Sequence, residues 1–313
     1  MKKQKPETIA FRSKTALYSE AYIFLEALSE VHGTYGTEHP ESIMALGRSS
    51  MGKTWLTNFY RKQYPRTQVD GKDIIPILYI RLQATPSSKG LQDILIGELN
   101  PFYTKKAAMT SERATQQLLI LLRQYGVQMI IIEEIQHFLP GHSEKRVIQH
   151  RLDQLKNLID RSAIPFVLTG QRSAEKILTA NYGQKGEDNQ LRQRFRSPVF
   201  LNSIPHYTDA WKEILSSYQK NMGVKTIDFT SGDLPERFYA ATHGHHGKLS
   251  KLLSYAIEAW DGKGKIHKEE LSKGYFKGIS VKPSNACPFT CTDTVLHDMV
   301  DFATKENARE EDV

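Results

Sequence analysis

Two hydrophobic rhythms alternate along the first two thirds of the chain. Short runs are apolar at nearly every position: 43–46 (Ile-Met-Ala-Leu), 74–82 (Ile-Ile-Pro-Ile-Leu-Tyr-Ile-Arg-Leu), 127–132, 164–169 and a brief one at 198–201. Uniform rather than alternating apolarity is the pattern of strands buried on both faces. Between them, apolar residues recur every three or four positions. This helical spacing covers 13–32 (Leu17, Ala21, Phe24, Leu25, Leu28), 55–60, 90–98, 111–125 (Leu118, Leu119, Leu121 and Leu122 inward) and 144–162. Strand–helix alternation predicts an α/β fold, a parallel sheet with helices on both faces. Near Ile204-Pro205 the texture changes, and residues 206–280 carry only helical patterns, at 209–222, 234–242, 248–259 and 268–276. They read as a small all-helical lid. Residues 1–12 are polar and expected to be loose, and 33–42 form a Gly/Pro/His loop. The tail, 281–313, is Pro-, Ser- and Thr-containing, with one short helix expected at 295–303 and an acidic end, Glu310-Glu311-Asp312. The expected division is 1–34 (extension and helix), 35–205 (α/β core), 206–280 (lid) and 281–313 (tail).

The first strand runs into Gly47-Arg48-Ser49-Ser50-Met51-Gly52-Lys53-Thr54, and Trp55 continues into a helix. This matches G-x-x-x-x-G-K-[ST] in the strand–loop–helix context that makes it a phosphate site. Glycines let the backbone curl so that successive N–H groups face phosphate oxygens, and the helix N-terminus adds partial positive charge. Lys53 is expected on the β- and γ-phosphates of ATP, and the Thr54 hydroxyl on Mg²⁺.

A phosphate loop of this kind needs a carboxylate at the end of a neighbouring strand. The most apolar strand ends in Glu133-Glu134. The first acid is expected in the Mg²⁺ shell, and the second is the candidate general base that polarises the attacking water. The strand Phe166-Val167-Leu168-Thr169 runs into Gly170-Gln171, where a polar side chain could orient that water; Gln171 is the first candidate and Thr169 the next. Leu191-Arg192-Gln193-Arg194-Phe195-Arg196 reads as the end of a helix before the last strand. An arginine there could reach a neighbouring subunit's phosphate site as a finger, with Arg194 favoured over Arg192 and Arg196 and a solvated arginine cluster as the plain alternative.

The phosphate loop, Ile-Ile-Ile-Glu-Glu-Ile-Gln-His-Phe-Leu (130–139), Pro-Phe-Val-Leu-Thr-Gly-Gln-Arg (165–172) and Leu-Arg-Gln-Arg-Phe (191–195), in this order, resemble the TnsC/TniB family over about residues 35–260. These are AAA+ ATPases of DNA transposons, CRISPR-associated ones included. The resemblance implies an AAA+ P-loop NTPase core over 35–205. It further implies an ATP-dependent homo-oligomer, ring or filament, that assembles on duplex DNA and links a target-selection protein of TniQ type to the transposase. Two departures stand out. Glu133 occupies the usual Walker B aspartate position, and Gly247 falls where many AAA+ lids carry a sensor arginine, leaving Lys248 as the candidate substitute at the nucleotide.

Charge shifts the picture modestly. Among 313 residues, 42 are basic and 35 acidic, a net charge of +7, which favours polyanionic partners. Lys89, Lys105, Lys106 and Arg113 form a basic group suited to DNA phosphates, and no base-reading motif accompanies it. Binding of DNA is therefore expected to be directed at the backbone. No apolar run approaches the ~20 residues that span a bilayer, and no secretory h-region follows the basic N-terminus, so no membrane association is expected. Two cysteines, Cys287 and Cys291, do not make a disulfide framework, and a reducing cytoplasm is the simplest setting. Those cysteines with His297, and the cluster His243, His245 and His246, lack the spacing of a zinc site. The tail is a candidate transposase-binding segment. Competing readings are an initiator-like loader, a secretion-associated ATPase, and a scaffold that binds ATP without hydrolysing it.

Overall fold

In the computed structural model, residues 4–14, 16–83, 90–104, 110–139, 145–179, 190–280 and 286–311 are described. Contact clustering divides the chain into two compact units. One comprises Ile23–Arg48 and Leu56–Leu201; the other comprises Met1–Tyr22, Ser49–Trp55 and Asn202–Val313.

The first unit is built on a five-stranded parallel sheet of β1 (Ile43–Gly47), β4 (Ile77–Arg81), β5 (Met129–Glu133), β6 (Phe166–Gly170) and β7 (Val199–Leu201), in the order β4-β5-β6-β1-β7. Every residue of β1, β5 and β6 is buried, which explains their uniform apolarity. Met44, Leu46, Leu78, Ile80, Ile130, Ile132, Phe166 and Leu168, alternate positions along four strands, share one core. Into that core α4 (Leu91–Leu99), α5 (Ser111–Gln124) and α6 (Lys145–Ser162) send Leu95, Leu118 and Leu155. Most of α2 (Ser19–Gly33) and of α3 (Lys53–Arg61) also belongs to this unit, and a short α7 (Lys176–Thr179) follows β6.

Because all five strands are parallel, their carboxyl ends share one edge. Register places Gly47 opposite Leu201, Leu46 opposite Gly170, Thr169 opposite Glu133, and Glu133 opposite Arg81. Ligands of open α/β sheets bind at that edge, where strand order reverses.

Several local expectations change. The run 74–82 is two elements, because Pro76 has no N–H to give a ladder. Ile74 ends β3 (Lys72–Ile74), which pairs antiparallel with β2 (Thr67–Val69), and β4 begins only at Ile77. The hairpin turns on Asp70-Gly71, both with positive φ (51° and 74°), an Asp-Gly signal that the apolar run obscured. Residues 192–194 form a 3₁₀ turn rather than the end of a helix.

The second unit is helical: α8 (Asp209–Asn221), α9 (Leu234–Thr242), α10 (His246–Ala259), α11 (Lys268–Gly278) and α12 (Asp293–Glu311). Trp211, Phe229, Phe238 and Phe289 fill its core. Two of its elements overturn local expectations. The N-terminal residues are not loose: α1 (Pro6–Ser13) starts with Pro6 at a position that tolerates proline and buries Phe11. Lys5 Nζ donates to the carbonyls of Ile257 and Trp260, and Arg12 Nε donates to Ser254 Oγ (3.2 Å), which straps α1 along α10. The tail helix is also much longer than 295–303, because Asn307 continues the buried face of Leu296, Val300 and Ala303 a turn further and hydrogen-bonds Tyr239 and the His243 carbonyl. Among the described residues no helix is long and apolar enough to cross a membrane.

Candidate nucleotide-binding site

β1 ends at Gly47, the chain turns through Arg48, Ser49, Ser50, Met51 and Gly52, and α3 starts at Lys53. Ser50 (φ 67°) and Gly52 (φ 90°) both take left-handed backbone, which curls the loop. Gly52 is free to do so, whereas Ser50 adopts it at a steric cost. Lys53 and Thr54 lie half-buried in the first turn of α3, and Trp55 is exposed. The helix N-terminus thus opens from the loop, the arrangement that favours anionic ligands.

One turn further along α3, the buried Thr57 donates its hydroxyl to Glu133 Oε1 (2.8 Å). The other carboxylate oxygen, Oε2, accepts from the Tyr79 hydroxyl (2.8 Å) on β4. Glu133 is only 1 % exposed, so neutral hydroxyls hold a carboxylate at the sheet edge where water is scarce. Burial lowers the pKa of Arg61 while Tyr79 and Glu133 oppose the shift, and its guanidinium lies 3.9 Å from the Tyr79 ring centroid. Glutamate's extra methylene in place of aspartate is accommodated by this two-point grip.

Glu134 leaves the strand in left-handed conformation (φ 57°, ψ 42°), which turns its side chain out of the strand line. Arg81 Nη2 donates to Glu134 Oε1 (2.8 Å), and Gln136 Nε2 donates to Glu134 Oε2. Gln136 Oε1 in turn accepts from the backbone N–H of Gln171 (3.1 Å). This bridge needs Gly170, since a Cβ there would come within 2.6 Å of Gln136 Oε1. The Gln171 side chain is exposed, and its main chain makes the bridging contact; Thr169 is buried within β6 beside Glu133. The residue joining acid pair and turn is Gln136, which was not singled out, and Arg81 and Thr57 were missed with it. Arg81 stands out in the sequence only as a lone cation inside the apolar run 74–82, and its partner becomes visible only through strand register.

The three arginines of residues 192–196 are all engaged within the chain. Arg194 makes a two-pronged pair with Asp160 (Nε to Oδ1 2.8 Å, Nη2 to Oδ2 3.0 Å), and this hydrogen bonding raises its pKa. Arg192 donates to the Phe195 carbonyl (2.6 Å), and Arg196 pairs with Glu30 (2.6 Å). A finger role for Arg194 therefore requires it to leave Asp160.

In the helical unit, α10 meets the loop apex. Gly247 N–H donates to the Ser50 carbonyl (2.8 Å), and a Cβ at 247 would lie 2.8 Å from Ser50 Cβ. The position aligned with a sensor arginine is thus a backbone contact with no room for a side chain. Lys248 follows on α10, half-buried. His246 is buried, stacked on Tyr18 (ring centroids 4.5 Å apart), and burial pushes its pKa down to about 4. Arg113 is exposed in the first turn of α5, while Lys89, Lys105 and Lys106 lie outside the described residues. Among the described residues no three His, Cys, Asp or Glu side chains gather to hold a metal. A threonine hydroxyl such as that of Thr54 and a carboxylate such as that of Glu133 are each of a kind that Mg²⁺ takes, its shell being completed with phosphate oxygens and water.

The sequence pattern of the bacterial TniB protein matches residues 9–203. The chain belongs to the TniB family. No protein of curated function matches it. Among solved structures, this TniB-family chain is similar to the Aeropyrum pernix ORC1 protein in complex with DNA (TM-score 0.55, 14 % identity, 88 % of this chain and 69 % of that one). It is also similar to the A. pernix ORC2 protein in its ADPNP–ADP complexes (TM-score 0.54, 15 % identity, 82 % of this chain), of whose length it covers 66 %. A third match is a Walker-type ATPase of Pyrococcus abyssi (TM-score 0.50, 12 % identity, 94 % of this chain and 77 % of that one). At such identities the likeness is one of fold, and the fold is AAA+: a parallel sheet flanked by helices, followed by a helical part. Family and fold together describe a TniB-family chain built on the AAA+ fold.

Proposed function

We propose that this protein binds ATP–Mg²⁺ at the 47–54 loop, oligomerises on duplex DNA and couples a TniQ-type target-selection protein to a transposase in the cytoplasm. The observation that carries the reading is the grip on Glu133 by Thr57, a residue of the phosphate-loop helix, with Glu134 beside it at the carboxyl edge of the sheet. In this reading Lys53 neutralises the β/γ-phosphates, and Thr54 and Glu133 hold the magnesium shell, which supplies charge neutralisation to the transferring phosphoryl group. Glu134 takes a proton from the attacking water. Gln136 orients Glu134 and ties it to the Gln171 turn. Arg194 completes the site of an adjacent subunit once released from Asp160. DNA is met through phosphates by Arg113 together with Lys89, Lys105 and Lys106, without base readout.

A second reading is favoured by two contacts. Arg81 and Gln136 both occupy the Glu134 carboxylate, which suits a protein whose hydrolysis is slow or suppressed and whose bound ATP acts as an assembly switch. The experiment that tests the shared core of both readings is titration of fluorescent ATP into the native chain and Lys53→Ala. Nucleotide affinity should collapse in the variant; unchanged affinity would remove the loop from the site. Phosphate release with and without duplex DNA then separates the two readings.

A further inference from the structure

The last turns of α8 and the chain that folds back from them enclose an open groove of about 370 Å³. Gln219 Oε1 accepts from the Phe229 N–H (2.9 Å), which holds residues 224–228 against the helix. Ser216, Gln219 and Lys220 line one wall, and Lys225, Thr226 and Asp228 line the other. Donors dominate this lining. Ser216 and Thr226 bring hydroxyls, Lys220 and Lys225 bring ammonium groups, and Gln219, its oxygen engaged, has its NH₂ to give. A parallel bridge joins Thr226 to Ile266 and sets Lys265 beside Lys225. Lys14 Nζ reaches the same helix end and donates to the Asn221 carbonyl (3.2 Å). Among the described residues no ion pair takes any of these four lysines.

The surrounding acids do not cancel this charge. Asp228, the carboxylate of the lining, accepts through Oδ1 from the Thr230 N–H (3.0 Å) and hydroxyl (2.7 Å). A turn further out, Lys212 and Lys263 are balanced by Glu213, which accepts from Ser19 Oγ, and Asp261, which accepts from the Lys263 N–H. Four ammonium groups therefore stand against one carboxylate at the groove. Lysines placed side by side repel, and an anion between them relieves the repulsion. We propose that this groove binds a small phosphorylated molecule, its phosphate held by Lys220, Lys225 and the Ser216 and Thr226 hydroxyls. The three oxygens of a phosphate use so many donors more fully than the two of a carboxylate. The volume is that of a small-molecule site, which leaves room for an organic body beside the phosphate. Duplex DNA fits less well, since these donors converge on a recess instead of following a line of phosphates. The groove shares no residue with the 47–54 loop.

The test is isothermal titration calorimetry of the full chain carrying Lys53→Ala, which removes the ammonium group of the 47–54 loop. The probes are glycerol phosphate, inorganic phosphate and succinate. Both phosphates should bind, and succinate should bind about tenfold more weakly or not at all. Lys220→Gln with Lys225→Gln should weaken both phosphates about tenfold or more, the loss expected for charge-assisted hydrogen bonds. Lys62→Gln, an exposed lysine just past α3, should leave them unchanged. Lys220 and Lys225 are exposed and unpaired, so the melting temperature of the ligand-free double variant should equal or exceed that of its parent, which excludes misfolding. Failure of both phosphates to bind, succinate binding as tightly as they do, or phosphate affinity indifferent to Lys220 and Lys225 overturns the proposal. So does duplex affinity that falls with these two lysines while the phosphates fail to bind, which gives the cluster to DNA. Glycerol phosphate should bind the native and Lys53→Ala chains alike, so failure at this groove leaves the ATP reading standing, and the reverse.

Discussion

Replacing Gly247 by alanine places a methyl group where the loop apex already sits. The new Cβ would lie 2.8 Å from Ser50 Cβ and 3.2 Å from Ser50 Oγ, closer than real carbon contacts. Gly247 is not one of the positive-φ glycines, so its backbone tolerates alanine, and the entire effect comes from crowding. Overpacking of this kind costs about 1–3 kcal/mol, and straining the Gly247 N–H to Ser50 carbonyl bond adds about 1 kcal/mol. Against that stands a helix-propensity gain of at most ~1 kcal/mol. The balance is a destabilisation of about 1–3 kcal/mol. If the loop yields rather than the helix, ATP affinity should drop about 5- to 30-fold, the equivalent of roughly 1–2 kcal/mol. The internal control is Gly97→Ala in α4, where nothing lies within 4 Å of the added methyl. There the same substitution should stabilise by about 0.5–1 kcal/mol and leave ATP binding alone. Chemical denaturation and fluorescent-ATP titration of the two variants read both quantities. If Gly247→Ala tracks Gly97→Ala in stability and affinity alike, α10 does not rest on the loop in solution, and the account of the lid is wrong.

Three other outcomes follow from contacts in the two units. Thr57→Val deletes the hydroxyl donated to the buried Glu133 carboxylate and should cost about 1.5–3 kcal/mol in urea unfolding; Thr57→Ser should recover most of it, and equal losses would show that the bond is immaterial. Arg81→Ala frees one oxygen of Glu134; as the pair is partly exposed its restraint is at most about 1 kcal/mol, so basal phosphate release should rise up to about fivefold, and a fall would instead make Arg81 part of the hydrolytic machinery. His246 has its pKa lowered by burial to about 4, so the unfolded chain takes the proton first. Stability is fully present above about pH 6.5 and is lost as pH falls toward 4, by roughly 3 kcal/mol at most. His246→Phe should flatten that part of the profile, leaving the smaller contributions of His32 and His206, whose pKa values are also lowered by burial.

Much of this was written in the chain, and the rest was hidden for identifiable reasons. Strands buried on both faces announce themselves without tertiary knowledge, so β1, β5 and β6 were legible to within a residue or two. The strand–loop–helix frame around 47–54 and the position of Glu133 and Glu134 at the end of β5 were legible because the proposed chemistry demands fixed residue types next to fixed elements. Polar side chains that act through one another were not. Gln136 matters only because the Gln171 amide and Glu134 converge on it in space, and Arg81 only because register sets it beside Glu133. The hairpin β2–β3 was lost inside an apolar run that Pro76 cuts. Helix α1 was missed because its support comes from α10, whose last carbonyls Lys5 reaches across a sequence separation of some 250 residues. The meaning of Gly247 needed Ser50 beside it; sequence could register the missing arginine but not the absence of space for one.

The central claim is that ATP, held at 47–54, licenses assembly on duplex DNA, and that Glu134 ends that state by hydrolysis. Negative-stain electron microscopy of Glu134→Gln with ATP, Mg²⁺ and a duplex of unrelated sequence tests it most directly, alongside Lys53→Ala under identical conditions. The account predicts persistent DNA-bound assemblies for Glu134→Gln, with phosphate release reduced by ~10²-fold or more, and none for Lys53→Ala. Assemblies of Lys53→Ala equal to those of the native chain, or Glu134→Gln releasing phosphate at the native rate, would contradict it.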